Sequence, residues 1–161
     1  MIAQKIVKTK EAIELEIEEI TLLSAQEYET YKEQVKLVND DWWLRSPGFD
    51  VTHATFVNSD GCLYSYGNGV VYVDNAVRPA LKVNLGSSNL RIGDEIEWAN
   101  HNWTVISDEL ALCDETIAKL PLRRNWRADD ANEYEKSDLK KWLENWLAEQ
   151  MEARAQNTAH S

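Results

Sequence analysis

Asp41-Trp42-Trp43-Leu44-Arg45-Ser46-Pro47-Gly48 is answered downstream by Ala76-Val77-Arg78-Pro79-Ala80-Leu81. Each half sets a cation close to a proline among large or branched apolar residues, an arrangement that two unrelated loops seldom share. Between them, residues 54–73 mix apolar and small polar residues around Asp60-Gly61 and Gly67-Asn68-Gly69, turn signals that supply positive φ. The spacing predicts strands over 54–58, 62–66 and 69–73, a β meander bracketed by two Arg/Pro motifs.

These residues resemble an uncharacterised domain family of bacterial and phage proteins that carries WWLRSPG, then an AxxVxxxG meander, then GVRPAL. The resemblance implies a C-type-lectin-like fold, α+β with a mixed, mostly antiparallel sheet and two helices. Formylglycine-generating enzymes and the variable proteins of diversity-generating retroelements use that fold too. Downstream, Ile92-Gly93-Asp94-Glu95-Ile96-Glu97-Trp98 and Trp103-Thr104-Val105-Ile106-Ser107 resemble the hairpin that opens such domains. The run from Tyr134 to Leu143, with Ser137, Leu139 and Trp142, resembles the helix that follows it. Here both come after the Arg/Pro motifs, so the order of blocks resembles a circular permutation. The expectation is a single domain in which 1–85 carries the motifs, 86–91 is a Gly/Ser-rich joint, 92–153 is the permuted hairpin and helix, and 154–161 is a frayed tail.

Composition agrees with one domain. A chain of 161 residues with seven tryptophans can bury a substantial core. No apolar run approaches the roughly 18 residues of a membrane helix. The N-terminus lacks the basic-then-apolar order of a signal peptide, which gives a cytoplasmic expectation. The net charge of -11 is uneven: residues 1–41 hold ten acids and five bases, 42–93 three and four, and 94–161 fifteen and eight. Acidity in the flanks argues against direct binding to nucleic acid or an anionic membrane, which needs clustered Lys and Arg. It permits a basic protein surface as partner, and it also serves solubility.

Local signals place the elements. Ser24-Ala25-Gln26-Glu27 is a capping box opening a helix to Leu37, after a strand through Ile17, Ile20 and Leu22. Ser137 caps a second helix whose residues Leu139, Trp142, Leu143, Trp146, Leu147 and Met151 form one apolar stripe. Residues 77–85 read as a strand that Pro79 confines to an edge or a bulge. Residues 95–98 and 102–106 form a hairpin around Ala99-Asn100-His101, followed by a strand over 110–113. Two helices and about eight short strands make an α+β domain.

Arg45 and Arg78 read in two ways. They can clamp an anion, since guanidinium matches carboxylate or phosphate with paired donors. They can instead stay inside the domain, bonding carbonyls or a carboxylate while Trp42 or Trp43 packs on them; this second reading is preferred, because a buried cation persists only with partners. Trp42, Trp43, Arg45, Pro47, Arg78 and Pro79 are therefore structural motif residues. Cys62 and Cys113 fall in predicted strands and read as buried, inert thiols. His53, His101 and His160 lack partner spacing for catalysis, and Asp50 with His53 is too small a set for a metal. No catalytic residue, metal or cofactor is expected.

Asn58, Asp60, Tyr64, Tyr66, Asn68 and Tyr72 have the composition of a recognition surface, rigid aromatic area with adaptable hydrogen bonds. They equally suit turns and the wet face of a sheet. The expected function is a non-catalytic domain that binds a protein or other ligand through this meander. The alternative is a small acidic inhibitor of a nucleic-acid-binding bacterial enzyme, in which Asp129, Asp130, Glu133 and Glu135 imitate phosphates. A third possibility is a structural module, with Trp126 beside Arg123, Arg124 and Arg127 making the contacts.

Overall fold

The computed structural model describes residues 2–8, 11–85 and 89–159, with side chains over 15–85 and 89–153. The elements in chain order are β1 (Ile2–Lys8), β2 (Glu11–Thr21), α1 (Ala25–Tyr31), a 3-10 turn (Lys32–Gln34), β3 (Trp42–Pro47), β4 (His53–Val57), β5 (Leu63–Gly69), β6 (Ala76–Val77), β7 (Ala80–Asn84), β8 (Glu95–Trp98), β9 (His101–Val105), β10 (Leu110–Cys113), β11 (Ala118–Lys119), a second 3-10 turn (Tyr134–Lys136) and α2 (Asp138–Ala159).

Leu15 and Ile17 alternate as on a half-buried strand, yet the next inward residue, Ile20, comes three positions later. β2 absorbs the extra residue as a bulge between Ile17 and Glu19, and all three stay buried. The bulged strand lies in a closed antiparallel barrel of order β1-β2-β7-β10-β9-β8, sealed where Val7 and Lys8 of β1 meet Glu97 and Ile96 of β8. Closure rests on those two pairs alone, and Ile2 to Ile6 of β1 pair only with β2 among the described residues. A second sheet, of order β11-β6-β3-β4-β5, is mixed, since β6 runs parallel to β3 while the other pairs are antiparallel. The domain is thus α+β, with two α-helices among the described residues.

The Arg78-Pro79 pair is where the chain passes from one sheet to the other. Proline cannot donate to a ladder, so pairing stops there. β6 ends in the mixed sheet at Val77 and β7 begins in the barrel at Ala80, instead of one strand over 77–85. The core lies on both sides of this crossing. One cluster joins the barrel, Trp43, Val77 and the inner stripe of α2; the other joins α1, Trp42, Leu44 and Ile106. Trp98, Trp103 and Trp146 meet at centroid distances of 6.0–6.5 Å and fasten α2 to the barrel. Ser137 caps α2 as expected, its hydroxyl accepting from the Lys140 amide at 3.0 Å.

Several local expectations are corrected. The helix expected to reach Leu37 ends at Tyr31 and tightens into the 3-10 turn; Val35 then turns extended and Leu37 is exposed. The third meander strand, over 69–73, does not form. Gly67-Asn68-Gly69 continues β5 instead of reversing it: Gly67 sits at φ +88° in a register shift against Ala54, and residues 70–73 form turns with no ladder. The hairpin after β8 turns on Ala99 and Asn100 alone, both at positive φ, and His101 pairs back to Trp98. The segment expected to fray continues α2 to Ala159, while residues 160 and 161 lie outside the described ones. Of the expected joint, 86–88 lie outside them as well.

Candidate functional site

The mixed sheet ends at β5, and among the described residues no strand pairs with its other side. Asn58 N–H donates to the Cys62 carbonyl at 2.9 Å, and Phe56 is opposite Tyr64. By the alternation of an antiparallel ladder, the main-chain groups of Leu63 and Ser65 therefore point away from β4. Around this edge the side chains are aromatic and exposed. Tyr64 stacks on Phe56 at 4.9 Å, and Tyr66, 70 % exposed, meets Phe49 at 4.7 Å. Phe49 also touches His53 at 4.3 Å.

Of the six residues expected at a binding surface, four present themselves to solvent: Asp60, Tyr64, Tyr66 and Tyr72, the last in the turn after β5. The other two are engaged in local structure. The Asn58 amide oxygen accepts from the Asp60 and Cys62 amides, closing the turn, and its nitrogen donates to the Tyr64 hydroxyl at 3.3 Å. Asn68 donates to the Asn75 side chain at 3.0 Å, tying the end of β5 to the start of β6. Phe49, Val51, Val71 and Val73 are exposed in the loops flanking the tyrosines and were not among the six. Apolar residues inside a turn-rich run, Gly48-Phe49-Asp50-Val51, were the signal that could have found Phe49 and Val51.

The Arg/Pro motifs hold the two sheets together. Trp43 is fully buried and its indole donates to the Leu120 carbonyl at 2.8 Å. Trp42 makes an edge contact with Tyr28 at 5.6 Å. Arg78 is 1 % exposed, its carbon 4.9 Å from the Trp42 ring centroid and its Nε donating to the Cys113 carbonyl at 2.7 Å. Among the described residues its two terminal nitrogens have no hydrogen-bond partner, and burial pulls its pKa from 12.5 to about 10. Arg45 is less buried and bonds the Leu22 carbonyl at 2.7 Å and the Glu27 carboxylate at 2.6 Å. Burial raises the Glu27 pKa, but hydrogen bonds from Arg45 and from the Ser24 amide outweigh it and hold the carboxyl below its ordinary value. Pro47 is exposed at the end of β3, and Pro79 is buried, its carbonyl accepting from Cys113.

The remaining candidate chemistry is dispersed. Cys113 is buried and its thiol pushed up to about 12 by desolvation, whereas Cys62, expected to be buried, is exposed in the turn ahead of β5 because the strand begins one residue later. Asp50 bonds Thr52 and His53 within one turn. Asp130 pairs with Arg123 and Lys136, Glu133 with Lys136, and Glu135 with Lys140, so three of the four acids considered as phosphate mimics face cations of their own. A cleft of about 240 Å³ gathers Glu19, Glu27, Glu109 and Glu135 around Arg45 and Lys82. Among the described residues, no group of three or more His, Cys, Asp or Glu side chains is placed to hold a metal ion, and no helix is long and apolar enough to cross a membrane.

A family model described as a domain of unknown function, DUF6273, matches residues 7–85. The match takes in both Arg/Pro motifs and the edge strand between them, in agreement with an uncharacterised domain family. No curated protein and no solved structure matches the chain.

Proposed function

We propose that this is a non-catalytic protein-recognition domain that takes an extended segment of its partner along the free edge of β5. The carrying observation is that edge itself: outward main-chain groups at Leu63 and Ser65, beside exposed Tyr64, Tyr66 and Phe49. An added strand would gain main-chain hydrogen bonds there, and alternate side chains would supply specificity. Charge favours one kind of occupant. Residues 46–77 contain three aspartates and not one Lys or Arg, so the surface suits a segment bearing Lys or Arg, whose cations also find aromatic faces. The resemblance of the motifs to lectin-like domains, with the permuted block order it implies, supports a binding role in a cytoplasmic protein of bacterial or phage origin.

Affinity capture from a bacterial lysate tests this, using the intact domain beside Ser65→Pro and Tyr66→Ala. Proline at 65 removes an outward amide without touching the β4 ladder. The expected result is one protein retained by the intact domain and lost by both variants, with the bound region mapped to an extended Lys/Arg-bearing segment. Retention by both variants, or a bound region that is helical or acidic, refutes the proposal.

A further inference from the structure

The loop before α2 has a charge opposite to that of the chain. From 117 to 128 it carries Lys119, Arg123, Arg124 and Arg127 and no acid, in a protein of net charge -11. Most cations of this region are neutralised in place: Lys119 by Asp40, Arg123 by Asp130, Lys136 by Asp130 and Glu133, and Lys140 by Glu135 and Glu144. Arg124 and Lys141 have no such partner among the described residues. Both line one pocket of about 250 Å³ between this loop and the first turns of α2. Leu120, Pro121 and Leu139 also line it, with the half-buried Trp142 and the Asn145 amide beside the cations.

The pocket is built on fixed backbone. The Leu120 carbonyl accepts from the Trp43 indole and its amide donates to Asn75 at 3.2 Å, while the Leu139 amide donates to the Leu122 carbonyl at 3.2 Å. The one carboxylate on the wall, Asp138, is already engaged, accepting the Arg124 amide at 2.7 Å. The start of a long helix adds a favourable field for negative charge.

We infer that this pocket binds a small aromatic anion of the mononucleotide kind, with its ring against Trp142 and its phosphate between Arg124 and Lys141. Guanidinium and ammonium together match a phosphate, and the indole gives a ring a stacking face. Size limits the ligand. Sites that enclose drug-sized molecules run to roughly 300–1,000 Å³, so this smaller pocket takes one ring and one anionic group, not an oligonucleotide. It lies on different elements from β5 and stands or falls independently of the protein-binding proposal.

Calorimetric titration of the intact protein with adenosine monophosphate, adenosine and inorganic phosphate tests the assignment. The monophosphate should bind at least about tenfold more tightly than either fragment alone, since each charged hydrogen bond contributes on that order. Arg124→Ala with Lys141→Ala should bring it down to the adenosine level, whereas Arg91→Ala, an exposed cation elsewhere, should not. Trp142→Leu should weaken monophosphate and adenosine alike while leaving phosphate unchanged, with circular dichroism confirming the fold. Absence of binding at millimolar monophosphate, equal affinity for adenosine, or indifference to the double substitution overturns the inference.

Discussion

Replacing Arg78 by methionine and by alanine separates the charge of this buried residue from its bulk. Burial costs the guanidinium several kcal/mol of lost hydration and leaves its pKa lowered from 12.5 to about 10. Opposing it are a charged hydrogen bond to the Cys113 carbonyl, about 1.5–3 kcal/mol, and the cation over Trp42, about 2 kcal/mol when desolvated. The two sides nearly cancel. Methionine keeps an apolar chain over Trp42 and is predicted to stay within about 1 kcal/mol of the parent near pH 7. Alanine opens a cavity against the same ring and should cost about 2–4 kcal/mol, a fall in Tm of roughly 4–16 °C for a chain of this size. The sign with pH is also fixed. The depressed cation disfavours folding while it stays protonated; above about pH 10 the folded protein releases that proton and the unfolded chain still holds it. The parent should therefore gain on the methionine variant as pH rises through about 10. Urea unfolding of the three proteins below and above that pH is the assay. A methionine variant as unstable as alanine would refute the cancellation, and an alanine variant equal to the parent would refute the packing role.

The two thiols should differ under native alkylation: mass spectrometry should find one adduct, at the exposed Cys62, with Cys113 reacting only in denaturant. Gly67→Ala would drive a Cβ into the Ala54 carbonyl from a positive-φ position and should cost about 2–4 kcal/mol or unpair β5, whereas Gly69→Ala meets nothing closer than 4.0 Å and should stay within about 0.5 kcal/mol by urea unfolding. Glu27→Gln weakens both the capping box and the Arg45 pair, a loss of about 1–2 kcal/mol near pH 7. Because the Glu27 pKa is depressed, its contribution is present above 4.5 and fades as pH falls through the folded value. The variant should accordingly show a flatter loss of stability on acidification.

The parts of this fold that were legible in the sequence are those in which one residue type has one local use. Ser24 with Glu27, Ser137, and the stripe from Leu139 to Met151 each marked a helix start or face that the structure contains. Trp42, Trp43, Arg45 and Arg78 read as interior and structural; in the structure the two tryptophans and Arg78 are buried and Arg45 is half-buried. What stayed hidden depends on pairing at a distance. Nothing local to Ile2–Lys8 announces that it closes a barrel with Glu95–Trp98, nor does a run of apolar residues reveal that a chain changes sheets at Arg78-Pro79. Gly67-Asn68-Gly69 misled because glycine serves a bulge as well as a reversal, and only the pairing with β4 decides between them. The surface was half legible: tyrosines were recognisable as such, but whether Asn58 and Asn68 faced solvent or closed turns depended on neighbours reached through the fold.

The most direct test of the β5 edge as a binding surface is selection of random peptides on the intact domain and, in parallel, on Ser65→Pro. Peptides rich in Lys or Arg and in β-branched residues, recovered by the intact domain alone and shielding the Leu63 and Ser65 amides from hydrogen exchange, are the predicted result. Peptides recovered equally by both proteins, or shielding that falls on the acids at 129–135 instead of on β5, would contradict it.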